Sequence, residues 1–162
     1  MPSPIGPEQA ALIGRRVSII VASRDASLRP HLMRAMGCRL SGDLRTVTLF
    51  MARTSSQAVL DDLRANGLIA VVFSEPSTNR TVQLKGGDAC VVPTAPGDEV
   101  LVQSYIQRHA EEIKGIGFGG NVSHALFKHD AADLVAVRFT PTAAFEQTPG
   151  PKAGEALRAS AG

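Results

Sequence analysis

The sequence predicts a mainly β protein with helices, its five or six strands curled into a small antiparallel barrel. Three observations carry that prediction. Apolar or alternating runs of strand length recur along the chain and most are joined by short turns, which favours antiparallel neighbours over parallel crossovers. Only two longer stretches have helical periodicity, too few for the strict strand–helix alternation of a doubly wound sheet. A Gly86-Gly87 pair interrupts a long strand-like run, as a bulge or a barrel corner does.

Pro2, Pro4, Gly6 and Pro7 disfavour an early element, although "EQAALIG" has room for one or two helical turns before Gly14. Order is expected from about Arg15. "VSIIVAS" (17–23) is a β-branched run of strand length, and "ASLRPHLMRAMGCRL" (26–40) continues as extended chain with a turn near Leu28-Arg29-Pro30. After the turn "SGDLR", the run "TVTLFM" (46–51) alternates polar and apolar like a half-buried strand. Thr54, Ser55 and Ser56 offer cap oxygens to a helix over about 55–65, whose apolar stripe is Val59, Leu60 and Leu63 and whose left-handed stop is Gly67. "LIAVVFS" (68–74) reads as a buried strand and "RTVQLKGGDACVV" (80–92) as a long bent one. Val102, Ile106, His109 and Ile113 share one face of a second helix that Asp98 and Glu99 open and Gly115 closes. A glycine-rich loop with a short helix after Asn121 leads to a last strand, "LVAVRFT" (134–140). The expected division is a flexible segment 1–14, one folded domain 15–150 and a flexible tail 151–162.

A chain of 162 residues buries roughly 70% of its unfolded surface, enough for one real core. The formal net charge is only +2 and the basic residues are scattered, which argues against a nucleic-acid partner. Cys38 and Cys90 lack CxxC spacing and read as buried free thiols, so the cytoplasm is the expected address. No signal-peptide pattern and no run of about 18 apolar residues is present, and no membrane contact is expected.

Few chemical motifs survive inspection. "GIGFGG" (115–120) follows a helix and not a strand, which is the wrong context for a dinucleotide fingerprint. The four histidines form no HExxH, and His109 beside Glu111 and Glu112 reads first as one imidazole at a helix interface and only second as a metal ligand. No G-x-S-x-G elbow activates a serine. The helix start "RTSSQ" brings hydroxyls, Arg53 and unpaired N–H groups together, which suits either ordinary capping or a phosphate. On "NRTVQLKGG", Thr81, Gln83 and Lys85 share one face while Arg80, Val82 and Leu84 share the other, so hydrogen-bonding side chains line up along one side of a strand.

Taken in order, "RPHLMRAMG", "VTLFMARTSSQAVLDDLRANGLIAVVF" and "RTVQLKG" resemble the pyridoxamine 5′-phosphate oxidase-like family of flavin-binding split barrels, over roughly residues 15–140. The resemblance implies a six-stranded, Greek-key-like antiparallel split barrel with flanking helices, a homodimer, and FMN held at the subunit interface. It implies an oxidoreductase acting on a small molecule, with a non-catalytic binding module, a haem binder or a deazaflavin binder as alternatives on the same fold. By position, it implies flavin contacts from Met33, Arg34 and Ala35, phosphate contacts from Ser55, Ser56 and Gln57, and polar contacts to the cofactor from Arg80, Thr81 and Gln83. No catalytic side chain and no metal ligand are implied. The chain departs from the oxidase itself: Gln57, Ala58 and Val59 stand where that enzyme carries an Arg-Lys phosphate pair, and tryptophan is absent, so vitamin B6 oxidation is not the expected activity.

Overall fold

The structure is a computed structural model and describes residues 2–158. Its order is α1 (Pro7–Ile13), β1 (Ser18–Arg24), β2 (Pro30–Arg34), β3 (Cys38–Leu40), β4 (Val47–Ala52), α2 (Gln57–Asn66), β5 (Ile69–Ser74), β6 (Thr81–Gly86) and β7 (Cys90–Val92). Then follow α3 (Asp98–Lys114), α4 (Val122–Leu126), β8 (Leu134–Phe139), β9 (Ala143–Glu146) and β10 (Ala156–Leu157). The strands form two antiparallel sheets, one of six in the order β10-β9-β6-β5-β1-β2 and one of four in the order β3-β4-β8-β7. The expectation of a six-stranded barrel is therefore replaced by ten strands in two sheets, with no closed barrel among the described residues.

Besides the crossover through α2, three corners carry the chain directly from one sheet to the other. At the first, the Ala35 N–H donates to the Ile19 carbonyl in the larger sheet and the next N–H, on Met36, donates to the Phe50 carbonyl in the smaller. At the second, β6 ends on Gly86, where a Cβ would lie 2.7 Å from Phe139 Cδ2 and 2.9 Å from the Thr140 carbonyl oxygen. Only glycine lets those backbones meet so closely, which is the physical content of the Gly86-Gly87 signal. The third links β8 to β9, where the Thr142 N–H donates to the Lys85 carbonyl. The runs 26–40 and 80–92 thus each split into two strands serving different sheets.

The core lies between the sheets. Its largest fully buried side chains include Phe50, Phe73, Phe139, Ile19, Leu49 and Met51; the consecutive Leu49, Phe50 and Met51 show that β4 of the smaller sheet is covered on both faces, not half-buried as its alternation suggested. Helix α2 closes one side: Val59, Leu60 and Leu63 are buried as their stripe required, and Gly67 ends the helix at φ 68° with its N–H on the Leu63 carbonyl. Both segments set down as flexible carry regular structure. Helix α1 lies within 1–14 and buries Leu12 and Ile13, while β10, within 151–162, pairs with β9. Met1 and residues 159–162 lie outside the described residues. Both cysteines are free, but Cys90 is exposed and Cys38 half-buried, because strand β7 is short and turns its first residue to solvent. Among the described residues, no helix is long and apolar enough to cross a membrane.

Candidate functional site

Strand register decides which of the nine expected residues share a surface. In the larger sheet Arg34 pairs with Ile20, Ile20 with Val72, Val72 with Gln83 and Gln83 with Phe145, so these five side chains form one row on the outward face. A parallel row runs from Ser18 through Ser74 to Thr81. Ile20, Val72, Gln83 and Phe145 are only half-buried, whereas their strand neighbours Ile19, Val71, Val82 and Leu84 are buried on the inward face. The outward face is thus a half-open apolar floor with polar groups set into it. Arg34, Thr81 and Gln83 lie on it. Arg34 and Gln83 are three strand spacings apart, about 14 Å.

The remaining candidates sit elsewhere. Met33 pairs with Val21 and packs against the core, because consecutive residues of a strand face opposite sides. Ala35 is fully buried at the first corner, its N–H already on the Ile19 carbonyl, so it offers no side chain and no N–H to a ligand. Arg80 precedes β6 and reaches Glu8 Oε1 at 3.4 Å, the arginine half-buried and the glutamate largely solvated. Ser55, Ser56 and Gln57 stand together at the start of α2, beyond the end of β4 in the smaller sheet.

Ordinary capping does not account for that helix start. Thr54 Oγ1 donates to Asp133 at 2.7 Å, Ser55 Oγ reaches back to the Ala52 carbonyl at 3.4 Å, and the N-cap Ser56 makes no side-chain cap bond. Ser56 Oγ is buried with no hydrogen-bond partner among the described residues, a costly state for a hydroxyl. Gln57 spends its amide on Asp61 at 2.7 Å. The first N–H groups of α2 therefore receive no side-chain acceptor from the cap. A cavity of about 640 Å³ opens beside them, lined by Thr54, Ser55, Lys128, His129, Asp130 and Asp133. Lys128 brings to this cavity a cation that α2's first turn lacks, and Asp130 and Asp133 bring opposing charge. Its distance along the chain hid it from sequence reading.

Two polar clusters brace the floor. His109, read from sequence as an interfacial imidazole, is 3% exposed. Its Nε2 lies 3.1 Å from Ser18 Oγ and its Nδ1 2.8 Å from Ser123 Oγ, while Arg34 Nη1 donates to the same Ser18 hydroxyl at 3.4 Å. Burial, and then the Arg34 charge, push the imidazole below its ordinary value, so it is the neutral ring that tethers Ser18. On the inward side, Asp62 of α2 accepts from Ser23 Oγ at 2.7 Å and meets His31 Nδ1 at 2.8 Å. Here the carboxylate is the hub, not the imidazole, so the Ser-Asp-His set lacks the relay order of a hydrolytic triad. Among the described residues no group of three His, Cys, Asp or Glu side chains is placed to hold a metal.

Two antiparallel sheets exchanging strands at three corners, with a helix start and an open sheet face left over, define a split-barrel fold. No protein-family model and no curated protein matches the chain. Solved structures do match, and they agree with the resemblance seen in the sequence. An F420 reductase is 16% identical with a TM-score of 0.57, over 86% of this chain and 98% of its own. A provisionally named pyridoxamine 5′-phosphate oxidase of Lactobacillus delbrueckii is 12% identical with a TM-score of 0.53, over 87% of this chain and 93% of its own. HutZ, the haem storage protein of Vibrio cholerae, is 16% identical with a TM-score of 0.50, over 86% of this chain and 92% of its own. At such identities the likeness is one of fold.

Proposed function

We propose that this chain is a pyridoxamine 5′-phosphate oxidase-like flavoprotein that acts as a homodimer in the cytoplasm, binds FMN where two copies meet, and oxidises or reduces a small molecule. The observation that carries the reading is the outward face of the larger sheet. An isoalloxazine ring is apolar on its faces and hydrogen-bonding at its edge, and a floor of Ile20, Val72 and Phe145 edged by Arg34, Thr81 and Gln83 has the matching chemistry. A second copy covering the floor would bury what a single copy leaves half-open.

The helix start supports the reading independently. Ser55, the uncapped N–H groups of α2 and Lys128 offer donors to a phosphate, and the orphaned Ser56 hydroxyl is a polar group whose partner the described residues do not supply. Met33, Ala35 and Arg80 contribute less directly: Ala35 by forming the corner beside Arg34, Met33 by packing beneath the floor, Arg80 at its margin. FMN, when bound, supplies the electron- and hydride-accepting chemistry. The chain's own residues bind, orient and exclude water. Ser18, tethered by neutral His109, holds the Arg34 guanidinium in place beside the floor.

A second reading, a binding module without redox chemistry, is favoured by one feature: Gln57 stands at the first position of α2 and donates to Asp61, so the helix's first turn has no basic side chain for a phosphate. Haem and deazaflavin remain ligands of interest because structures of this fold carry those names. One measurement separates the readings. The visible spectrum of the purified protein, before and after incubation with excess FMN, is expected to show flavin bands near ~370 and ~450 nm. A Soret band, or a preparation that stays colourless, would overturn the FMN assignment.

A further inference from the structure

A pocket of about 160 Å³ lies away from the sheet face and from the start of α2, between the end of α1, the first residues of β1, β3 and α3. Its inner wall is Val17 and Ile19, both 1% exposed, with the ring of Tyr105, 3% exposed; the half-buried Cys38 and Leu40 stand nearer the mouth. Tyr105 Oη already donates to the Val17 carbonyl at 2.8 Å, so the ring presents carbon to the pocket. Two guanidiniums complete the lining and they differ. Arg15 is matched by Glu75 at 3.5 Å. Arg108 donates only to carbonyl oxygens, of Gly14 at 3.3 Å and Ser104 at 3.4 Å, and meets no carboxylate among the described residues. An apolar pocket is thus capped by one cation without a counter-charge. Burial pushes the Cys38 thiol up to about 12 against the opposing pull of the Arg108 charge, so the wall beside the cation is uncharged.

We infer that this pocket binds a small amphiphilic carboxylate, its short alkyl chain or single ring among Val17, Ile19, Leu40 and Tyr105 and its carboxylate on Arg108. A dry cavity of about 150 Å³ is known to take a benzene-sized guest, which sets the apolar part at about six carbons. The planar fork of a guanidinium matches a carboxylate in two parallel hydrogen bonds, and one uncompensated cation suits one negative charge. The inference is independent of flavin binding.

The test uses the full chain with sodium hexanoate as probe and 1-hexanol as its uncharged counterpart. Tyr105 is the single tyrosine and tryptophan is absent, so tyrosine emission reports this pocket alone. Hexanoate is expected to change that emission saturably and to bind at least tenfold more tightly than hexanol. Arg108→Gln, at a half-buried position, is expected to erase that preference, and Leu40→Phe to weaken both ligands by narrowing the pocket. A second readout is the thermal midpoint: saturating hexanoate should raise it for the parent and not for Arg108→Gln. Absence of saturation together with an unmoved thermal midpoint overturns the site. Equal affinity for the two probes, or an Arg108→Gln titration identical to the parent's, overturns the assignment to an anion.

Discussion

Asp62 is a buried carboxylate whose two partners come from neighbouring strands, and its role is to fasten α2 to the sheet. Burial alone would raise its pKa, but the hydrogen bonds from Ser23 and His31 outweigh that effect and hold the carboxyl below its ordinary value. A carboxyl depressed in the fold stabilises the protein above its unfolded value of about 3.9 and loses that contribution as pH falls through the folded value. Asp62→Ala is expected to cost about 2–4 kcal/mol in denaturant unfolding at neutral pH, because it orphans a buried hydroxyl as well as removing a charge. The parent's stability should fall more steeply than the variant's as pH drops below about 4. His109 has the histidine version of the same sign: neutral in the fold, it is most favourable above the unfolded value of about 6.5, and stability is lost below it as the unfolded chain takes up the proton. His129 opposes it. Burial lowers that imidazole, but the Phe127 carbonyl and Glu99 together raise it further, so its contribution is present below about 6.5 and lost as pH rises through the raised value. The pair will partly cancel in the parent, and His109→Gln should therefore shift the profile between pH 5 and 7 toward greater stability at the acidic end. A profile unchanged by that substitution would remove His109 as a titrating group. None of these partnerships was legible in the sequence, since Ser23, His31 and Asp62 become neighbours only through strand pairing and helix docking.

Gly67 and Gly86 are the hinges of the element scale. Gly67 sits at φ 68° as the left-handed cap of α2, and a Cβ there would lie 2.8 Å from the Gly87 carbonyl oxygen. Its own carbonyl accepts from the Ala89 N–H at 3.0 Å, so the end of one helix is tied to the corner between β6 and β7. Gly67→Ala should cost about 1–3 kcal/mol, with Gly86→Ala at least as damaging because its neighbours are backbone and a buried ring. Both are checked by urea midpoints; a loss under about 0.5 kcal/mol at Gly86 would show that the corner can relax. The sequence announced both glycines, because a residue without a side chain is informative wherever regular structure stops. It did not announce β9 or β10. "AAFE" and "AL" are too short to carry a period of their own, and their strand character is imposed by pairing with β6 and with each other. The same holds where two runs read as single strands proved to be four, since a corner between sheets leaves extended geometry almost unbroken.

For the molecule as a whole, the outward face of the larger sheet makes the strongest demand. If a second copy covers it, an acidic residue at its centre should break the pair: Val72→Glu is expected to turn a dimer into a monomer in light scattering and to release FMN, with folding kept because the inward face is untouched. Arg34→Ala should weaken FMN roughly tenfold to a hundredfold, the worth of one charge-assisted contact, and leave the dimer intact. Full retention of FMN in that variant would strike Arg34 from the site. Alternation along "RTVQLKGG" gave Thr81 and Gln83 their common side before any fold was known. The grouping of Met33 with Arg34 was beyond it, since a resemblance by position ignores which way each residue of a strand faces. Lys128 was invisible for a simpler reason: it belongs to a loop that only the closed fold brings to α2.

The pairing of β4 with β8 has a consequence during synthesis. Strand β4 forms its full ladder with residues 134–139, more than 80 positions further along the chain. At about 5–20 residues per second, a ribosome takes roughly 4–16 s to deliver that partner. Throughout the wait, the nascent chain presents "VTLFMA", five of whose six side chains end up buried, with one edge unsatisfied. The smaller sheet therefore stays open to aggregation until β8 emerges, and a holding chaperone would find its natural client segment in β4.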